Sequence, residues 1–123
     1  MIFVSGYKEL KVYERSYKAA KAVYEMTAGF PTEERYGITN QLKRASLSIP
    51  LNIAEGYAKR ESQEEFKRFL MMALGSSNEV LVLLDFSKDV KYISEATHKK
   101  AFAEYEEIAS MLNSFIQSIK TKL

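Results

Sequence analysis

The chain has no cysteine and no tryptophan, and only two prolines and five glycines in 123 residues. Without cysteine it has no disulfide scaffold, no thiolate metal site and no cysteine nucleophile. The scarcity of proline and glycine leaves few turn signals, which favours a few long helices over many short strands. The lack of cysteine also fits a protein of the cytoplasm.

The chain also lacks a large net charge and a long apolar run. The formal net charge is +2, from 18 Lys/Arg and 16 Asp/Glu, so nucleic-acid binding would have to depend on how the charges are placed. The densest apolar run, residues 80–84, is far shorter than the roughly 20 residues of a membrane span. The N-terminal segment Met1–Gly6 lacks the basic start and long apolar stretch of a signal peptide. We therefore expect a cytoplasmic protein with no membrane partner.

Apolar residues recur at spacings of three and four in four segments, residues 8–27, 33–57, 63–87 and 95–121. The short connections between these segments are typical of antiparallel neighbours. No linker or repeat divides the chain, so the pattern predicts one all-α domain over residues 1–123, an antiparallel up-down-up-down four-helix bundle. The inner stripe of the second helix is expected to be Ile38, Leu42, Ala45, Ile49 and Ile53.

Three residues suggest how the helices begin and bend. Thr32 is expected to cap the second helix. Pro50 lies inside that helix and predicts a kink without a clean break. Gly75 interrupts the third helix, and we interpret it as a point where two helices pack closely.

Several large side chains are predicted to lie in the core. Tyr13, Tyr17 and Tyr24 fall on the apolar face of the first helix, which favours core packing over base stacking. The Met71–Met72 pair is interpreted as gap-filling in the core.

The chain shows little that would support catalysis. His98 is the only histidine, and it follows Glu95 at the Glu-x-x-His spacing of di-iron bundles. That site needs a second such motif, so we expect His98 to be a solvated side chain at the polar start of its helix. No glycine-rich phosphate loop, nucleophile elbow or zinc motif is present. We predict no enzyme, no cofactor and no metal site.

The second helix has a polar seam beside its inner stripe, formed by Gln41, Arg44, Ser48, Asn52 and Glu55. A second apolar strip lies beyond it, formed by Tyr36, Leu47, Leu51 and Ala54. A helix on the outside of a small monomeric bundle has no need of a second apolar strip. Two interpretations stay open. The seam is a polar network inside the protomer, or the strip and part of the seam contact another subunit.

The first helix has a basic stripe, formed by Lys8, Lys11, Arg15, Lys18 and Lys21. Five further basic residues are candidates to extend it, namely Lys43, Lys59, Arg60, Lys120 and Lys122. The stripe is either a solvated face or an electrostatic footprint for a phosphate backbone.

Two segments resemble a known family. Residues 41–56, QLKRASLSIPLNIAEG, and residues 69–79, FLMMALGSSNE, closely resemble the two signatures of the four-helix bundle proteins encoded in 23S ribosomal RNA intervening sequences. The opening LKVY at residues 10–13 and the Phe-Pro at residues 30–31 fit as well. Lys43 stands where that family often has Arg, and Tyr13 where it often has Trp.

The resemblance implies antiparallel four-helix bundles that assemble as homopentamers. Similar proteins include the accessory variability protein of diversity-generating retroelements, a basic pentameric barrel that engages a reverse transcriptase and nucleic acid. The leading hypothesis is a cytoplasmic homo-oligomer, a ring of five subunits, that binds RNA or DNA weakly and without sequence specificity. The alternative is a protein–protein adaptor, or an accessory subunit of a nucleic-acid enzyme, without direct contact to nucleic acid.

Overall fold

The computed structural model describes residues 6–119, which form four α-helices: α1 (Lys11–Thr27), α2 (Ile38–Ala58), α3 (Gln63–Asp89) and α4 (Glu95–Ser118). Short 3-10 turns at Gly6–Glu9 and Thr32–Glu34 precede α1 and α2. No strand occurs within residues 6–119, so the predicted all-α class is confirmed. Outside the described residues lie most of the segment Met1–Gly6, Lys120, Lys122 and the last residues expected for the fourth helix.

Contacts between α2 and α3 show that these helices are antiparallel. The hydroxyls of Ser48 and Ser76 lie 2.8 Å apart. Gly56, two turns further along α2, sits against Phe69, two turns earlier in α3. Residue numbers therefore rise along one helix as they fall along the other.

The remaining neighbours follow the same antiparallel order. Asp85 near the end of α3 bonds to His98 near the start of α4. Lys43 near the start of α2 lies over the Tyr24 ring near the end of α1. The four helices thus form the predicted up-down-up-down bundle.

The core lies between the inward faces of all four helices. The predicted inner stripe of α2 is buried throughout, at residues 38, 42, 45, 49 and 53. It meets Val23 of α1, Leu70 and Leu84 of α3, and Leu112 of α4, which belong to the same buried cluster. The contact between α1 and α4 is the smallest of the four neighbouring pairs, and a groove lined by Ala19, Ala22 and Ala101 runs along it.

The start of α2 differs from the sequence-based expectation. The helix begins at Ile38, not at residue 33, because the chain leaves helical geometry at Gly37 (φ −108°, ψ −119°). Thr32 begins the short 3-10 turn and does not cap α2. The side chain of Glu34 takes this role, since its Oε1 accepts the Ile38 backbone N–H at 3.2 Å. Its other oxygen accepts a hydrogen bond from the Tyr92 hydroxyl at 2.7 Å.

Two helical glycines have opposite surroundings. A Cβ at Gly56 would lie 2.8 Å from the Phe69 Cβ, so the close approach of α2 and α3 requires glycine there. A Cβ at Gly75 would meet no described atom within 4 Å. The predicted close packing at Gly75 is therefore wrong within the protomer, because this residue faces outward on α3. Around Pro50, which is buried, α2 continues without a break.

Helix α3 is apolar on more than its buried side. By length and composition it is long and apolar enough to cross a membrane, because its most apolar 18-residue window has a mean hydropathy of 1.4. A helix in the core of a bundle meets the same criterion, and residues such as Leu70, Ala73 and Val80 are fully buried here. Only 33% of that window is buried, so much of its apolar surface faces away from the other helices.

Candidate interaction surfaces

The largest group of exposed apolar side chains lies on the outward sides of α2 and α3. We call it the outer α2–α3 face, formed by Leu47 and Leu51 of α2 and by Met71, Met72, Gly75, Val82 and Phe86 of α3. The apolar side chains of this face are between 37% and 66% exposed, with Val82 the most exposed. A single exposed leucine is ordinary, whereas a larger group of exposed apolar side chains is a candidate interaction site. The face is interrupted by exposed polar residues, Arg44 and Glu55 on α2 and Asn78 and Glu79 on α3.

The inner edge of this face is fixed by a small polar network. The Ser48 and Ser76 hydroxyls share a 2.8 Å hydrogen bond across α2 and α3. The Asn52 amide donates to the Ser48 carbonyl at 2.9 Å and to its hydroxyl at 3.0 Å. This half of the predicted polar seam lies inside the protomer and joins the two helices that form the face.

The other half of the seam points outward. Gln41, Arg44 and Glu55 are exposed on α2, along the same outward side as Leu51. Tyr36 is not part of the helical strip, because it lies in the turn before α2, where it is 85% exposed and beside Arg35. Ala54 is half-buried. The structure therefore places Ser48 and Asn52 in a polar network inside the protomer, and contact of the exposed residues with another subunit stays a prediction.

The α3 part of the outer face was not foreseen from the sequence. Met71 and Met72 were predicted to fill the core, yet they are 56% and 40% exposed. The missed signal is that residues 71, 75, 82 and 86 follow helical spacing on the side of α3 opposite the core stripe. Spacing alone does not tell which of two apolar stripes the bundle covers.

The basic stripe of α1 is interrupted at its centre. Arg15 forms a two-pronged ion pair with Glu104 of α4, at 2.8 Å from Nη2 and 3.1 Å from Nε. Its Nη1 is also 3.9 Å from Glu107. The hydrogen bonds to Glu104 raise the pKa of Arg15 above its ordinary range. Arg15 thus turns toward α4, and its charge is compensated inside the protomer.

The four lysines of the stripe are exposed. Lys8 lies in the 3-10 turn before α1, and Lys11, Lys18 and Lys21 lie on α1 itself. Lys18 is 3.6 Å from Glu14, a surface ion pair that contributes little. These lysines leave a basic but diluted outward surface on α1.

The tyrosines of α1 are less buried than predicted. Tyr17 and Tyr24 are 46% and 42% exposed, so the expectation that they lie in the core is wrong. Smaller residues, including Ala20 and Val23, fill the centre of the α1 contact instead. Only Tyr13 is half-buried, and burial raises its pKa.

The sequence model of the 23S rRNA-intervening sequence proteins matches residues 8–114, almost the whole described chain. The chain belongs to this family. No sequence among the curated proteins matches it.

A solved relative supports the architecture of this 23S rRNA-intervening sequence protein. It is the crystal structure of a protein of unknown function from the S23 ribosomal protein family of Bacteroides thetaiotaomicron. The two chains share 24% identity with a TM-score of 0.76, over 85% of this chain and 97% of the other. At this identity the likeness shows the fold. The family description names no enzymatic activity.

The two segments that resemble the family signatures pack against each other. Residues 41–56 lie on α2 and residues 69–79 on α3, and the Ser48–Ser76 hydrogen bond joins them. Gly56 of the first segment allows the close approach of Phe69 in the second. The signatures of this family member therefore coincide with the helix pair that builds the outer α2–α3 face.

The side chain of His98 is more buried than the sequence predicted. Its side chain is only 15% exposed, and its Nε2 lies 2.8 Å from Asp85 Oδ1. The ring also stands 5.1 Å from the Phe102 ring. The expectation of a solvated histidine is therefore wrong, because the end of α3 covers it. Within residues 6–119 no three His, Asp or Glu side chains cluster closely enough to hold a metal ion.

Proposed function

We propose that this 23S rRNA-intervening sequence protein is a non-enzymatic, cytoplasmic homo-oligomer that assembles through its outer α2–α3 face. The observation that supports it best is the open surroundings of Gly75, which lies between the exposed apolar residues Met71 and Val82 of α3. A glycine in a helix interior costs about 0.5–1 kcal/mol relative to alanine. Since nothing within the described protomer requires a glycine there, a close approach by a second chain is a physical reason for it.

The surroundings of Gly75 fit contact with another helix. Met71 and Met72 lie one turn before it, the polar Asn78 and Glu79 lie one turn after it, and Val82 lies two turns after it, all exposed. Methionine adapts its shape to a partner surface at low cost. A glycine between flexible side chains leaves a shallow groove on the helix surface, and another helix can pack into such a groove.

The two halves of the face suggest how copies join. We propose that Leu47 and Leu51 on α2 of one copy contact α3 of the next, around Gly75. A contact between two different patches repeats from copy to copy and closes into a ring when the rotation allows. The family resemblance implies five subunits. The exposed Arg44 and Glu55 beside the leucines would then form the polar rim of each contact.

Light scattering on the purified full chain tests the assembly. We expect an oligomer for the wild type and a monomer for Leu51→Glu, which places a charge in the contact. Ala103→Glu is the matched control, because Ala103 is an exposed residue on α4, away from this face. It should leave the oligomer unchanged. A wild-type protein that stays monomeric at high concentration contradicts the proposal and leaves the adaptor alternative.

Gly75→Ala provides a second, more specific test. In an isolated protomer the added methyl meets open space, so helix propensity alone should raise the free energy of unfolding. In the oligomer the same methyl should separate the helices and promote dissociation on dilution. Equal assembly of the wild type and Gly75→Ala would remove this glycine from the proposed contact.

A second proposed activity is weak, sequence-independent binding of RNA or DNA through the α1 lysines. It is favoured by the exposure of Lys8, Lys11, Lys18 and Lys21 along one side of the protomer. In a ring each subunit would present this side, so the total positive charge of the surface would increase with the number of subunits. A titration of labelled RNA at several salt concentrations tests it, because phosphate contacts weaken steeply as salt rises. Lack of binding at low salt would contradict it.

A further inference from the structure

Tyrosines and lysines lie together along the outside of the contact between α1 and α2, where Tyr17, Lys21 and Tyr24 are exposed and Tyr13 and Lys43 are half-buried. The Lys21 Nζ lies 5.5 Å from the ring centre of Tyr17, and the Lys43 Nζ of α2 lies 4.8 Å from that of Tyr24. The Tyr13 and Tyr17 rings lie 5.9 Å apart and nearly parallel, at 23°. We call these five residues the tyrosine–lysine row.

Acidic side chains border the row at Lys21, because Glu14 and Glu25 lie two turns before it and one turn after it on the same side of α1. On the side of each helix that borders the α1–α2 contact, residues 13, 17, 20, 24 and 27 of α1 and residues 39, 43, 46, 50 and 57 of α2 include no Asp or Glu. Glu14 and Glu25 lie on the outward side of α1, and Glu14 is 3.6 Å from Lys18. The row therefore combines positive charge with accessible aromatic rings.

The chemistry of the row selects among partners. A lysine over an exposed ring is a weak contact that a ligand can displace. A polyanion would attract both lysines, and only a polyanion with flat apolar rings would also use the tyrosines. Single-stranded nucleic acid offers both, because its unpaired bases expose their faces for stacking while its phosphates carry the charge. In a duplex the base faces are covered by their neighbours in the stack.

We propose that the tyrosine–lysine row binds single-stranded nucleic acid. Tyr17 and Tyr24 stack on unpaired bases, and Lys21 and Lys43 turn from the rings to the phosphates. This inference rests on the proposed nucleic-acid binding, to which it adds the site and the preference for unpaired strands. The row lies beside the basic stripe of α1 and shares Lys21 with it.

The test compares binding of a labelled oligouridine with binding of the same strand paired to oligoadenine. The variants are the double substitutions Tyr17→Leu with Tyr24→Leu, and Tyr17→Phe with Tyr24→Phe. The first removes both aromatic rings, whereas the second keeps them and removes only the hydroxyls. We expect the leucine variant to lose at least about tenfold in affinity for oligouridine, while the phenylalanine variant and all duplex binding stay unchanged.

A second measurement does not depend on how the leucine variant folds. The chain has no tryptophan, so its intrinsic emission comes from tyrosine alone. Stacking of bases on Tyr17 and Tyr24 should quench part of this emission when oligouridine is added. The quenching should be smaller in the phenylalanine variant, although its affinity is unchanged.

The outcomes separate this inference from the proposed function. If the wild type binds neither probe at low salt, the proposed nucleic-acid binding fails and the row with it. If oligouridine binds equally to the leucine and phenylalanine variants, nucleic-acid binding stands and the row is rejected. If the leucine substitutions change the oligomer mass in light scattering without changing binding, the row is a protein contact and the inference is overturned.

Discussion

Arg15 and Glu104 fasten α1 to α4 with two parallel charge-assisted hydrogen bonds, of 2.8 and 3.1 Å. They cross the helix pair with the smallest contact, beside the alanine-lined groove. A two-pronged arginine–carboxylate pair fixes orientation as well as distance. This ion pair explains why Arg15 differs from the other members of the basic stripe. Arg15 holds α1 against α4, whereas the four lysines face solvent.

A double-mutant cycle with Arg15→Ala and Glu104→Ala measures this link. The two side chains are 41% and 35% exposed, so solvent screens their attraction. We expect a coupling of about 0.5 kcal/mol in the free energy of unfolding, decreasing at high salt. Chemical denaturation of the four proteins at two salt concentrations provides the measurement. A coupling of several kcal/mol would mean that the pair is far better shielded than its exposure shows.

Gly56→Ala should destabilise the bundle at the α2–α3 crossing. The new methyl would lie 2.8 Å from the Phe69 Cβ and 3.3 Å from the Phe66 carbonyl, and neither is the end of a flexible side chain. The helices must separate to accommodate it, at a cost of about 1–3 kcal/mol in the free energy of unfolding. Gly29→Ala is the control, because its Cβ would meet only the Met26 carbonyl at 3.8 Å. Equal stability of the two variants would contradict the close crossing.

Glu34→Ala should cost more stability than Thr32→Ala. The Glu34 carboxylate accepts both the Ile38 N–H and the Tyr92 hydroxyl, so its loss leaves two donors without this partner. We expect a decrease of about 1–2 kcal/mol in the free energy of unfolding. Thr32 is exposed and does not cap α2, so its replacement should change little. Thermal unfolding of both variants gives the comparison, and a larger effect at Thr32 would restore it as the cap.

Features that depend on residues close together in the sequence could be predicted, and features that depend on distant residues could not. The inner stripe of α2 was predictable because helical spacing aligns Leu42, Ile49 and Ile53 on one side whatever their partners are. The cap of α2 was not, because Glu34 is held by Tyr92, which lies 58 residues away in the sequence. Thr32 satisfied the local rule equally well.

The helical spacing of apolar residues also does not determine how exposed each side chain is. The tyrosines of α1 were assigned to the core because they lie at helical spacing beside core residues, and the methionines of α3 were interpreted as gap-filling because methionine adapts its shape. A helix in a four-helix bundle buries one side, and the width of that side depends on how closely its neighbours approach. Tyr17 lies just beyond the buried side of α1, with 46% of its surface exposed, and Met71 lies on the outward side of α3, with 56% exposed.

Tyr105→Phe should stabilise the protein or leave its stability unchanged, unlike most core substitutions. The Tyr105 side chain is 1% exposed, and its hydroxyl has no hydrogen-bond partner within the described residues. A buried hydroxyl without a partner opposes folding, so its removal should raise the free energy of unfolding by up to about 1 kcal/mol at neutral pH. Denaturation of Tyr105→Phe beside Tyr92→Phe, which loses a 2.7 Å hydrogen bond, gives the contrast.

The same hydroxyl should influence stability in alkali. Burial raises the pKa of Tyr105 above its ordinary value of 10.0, so the folded protein keeps this proton at a pH where the unfolded chain has lost it. This group therefore leaves the free energy of unfolding independent of pH well below pH 10.0 and lowers it as the pH rises above that value. Between about pH 9 and pH 11 the wild type should therefore lose more free energy of unfolding than Tyr105→Phe does. Parallel slopes for the two proteins would show that the hydroxyl reaches water or a partner at high pH.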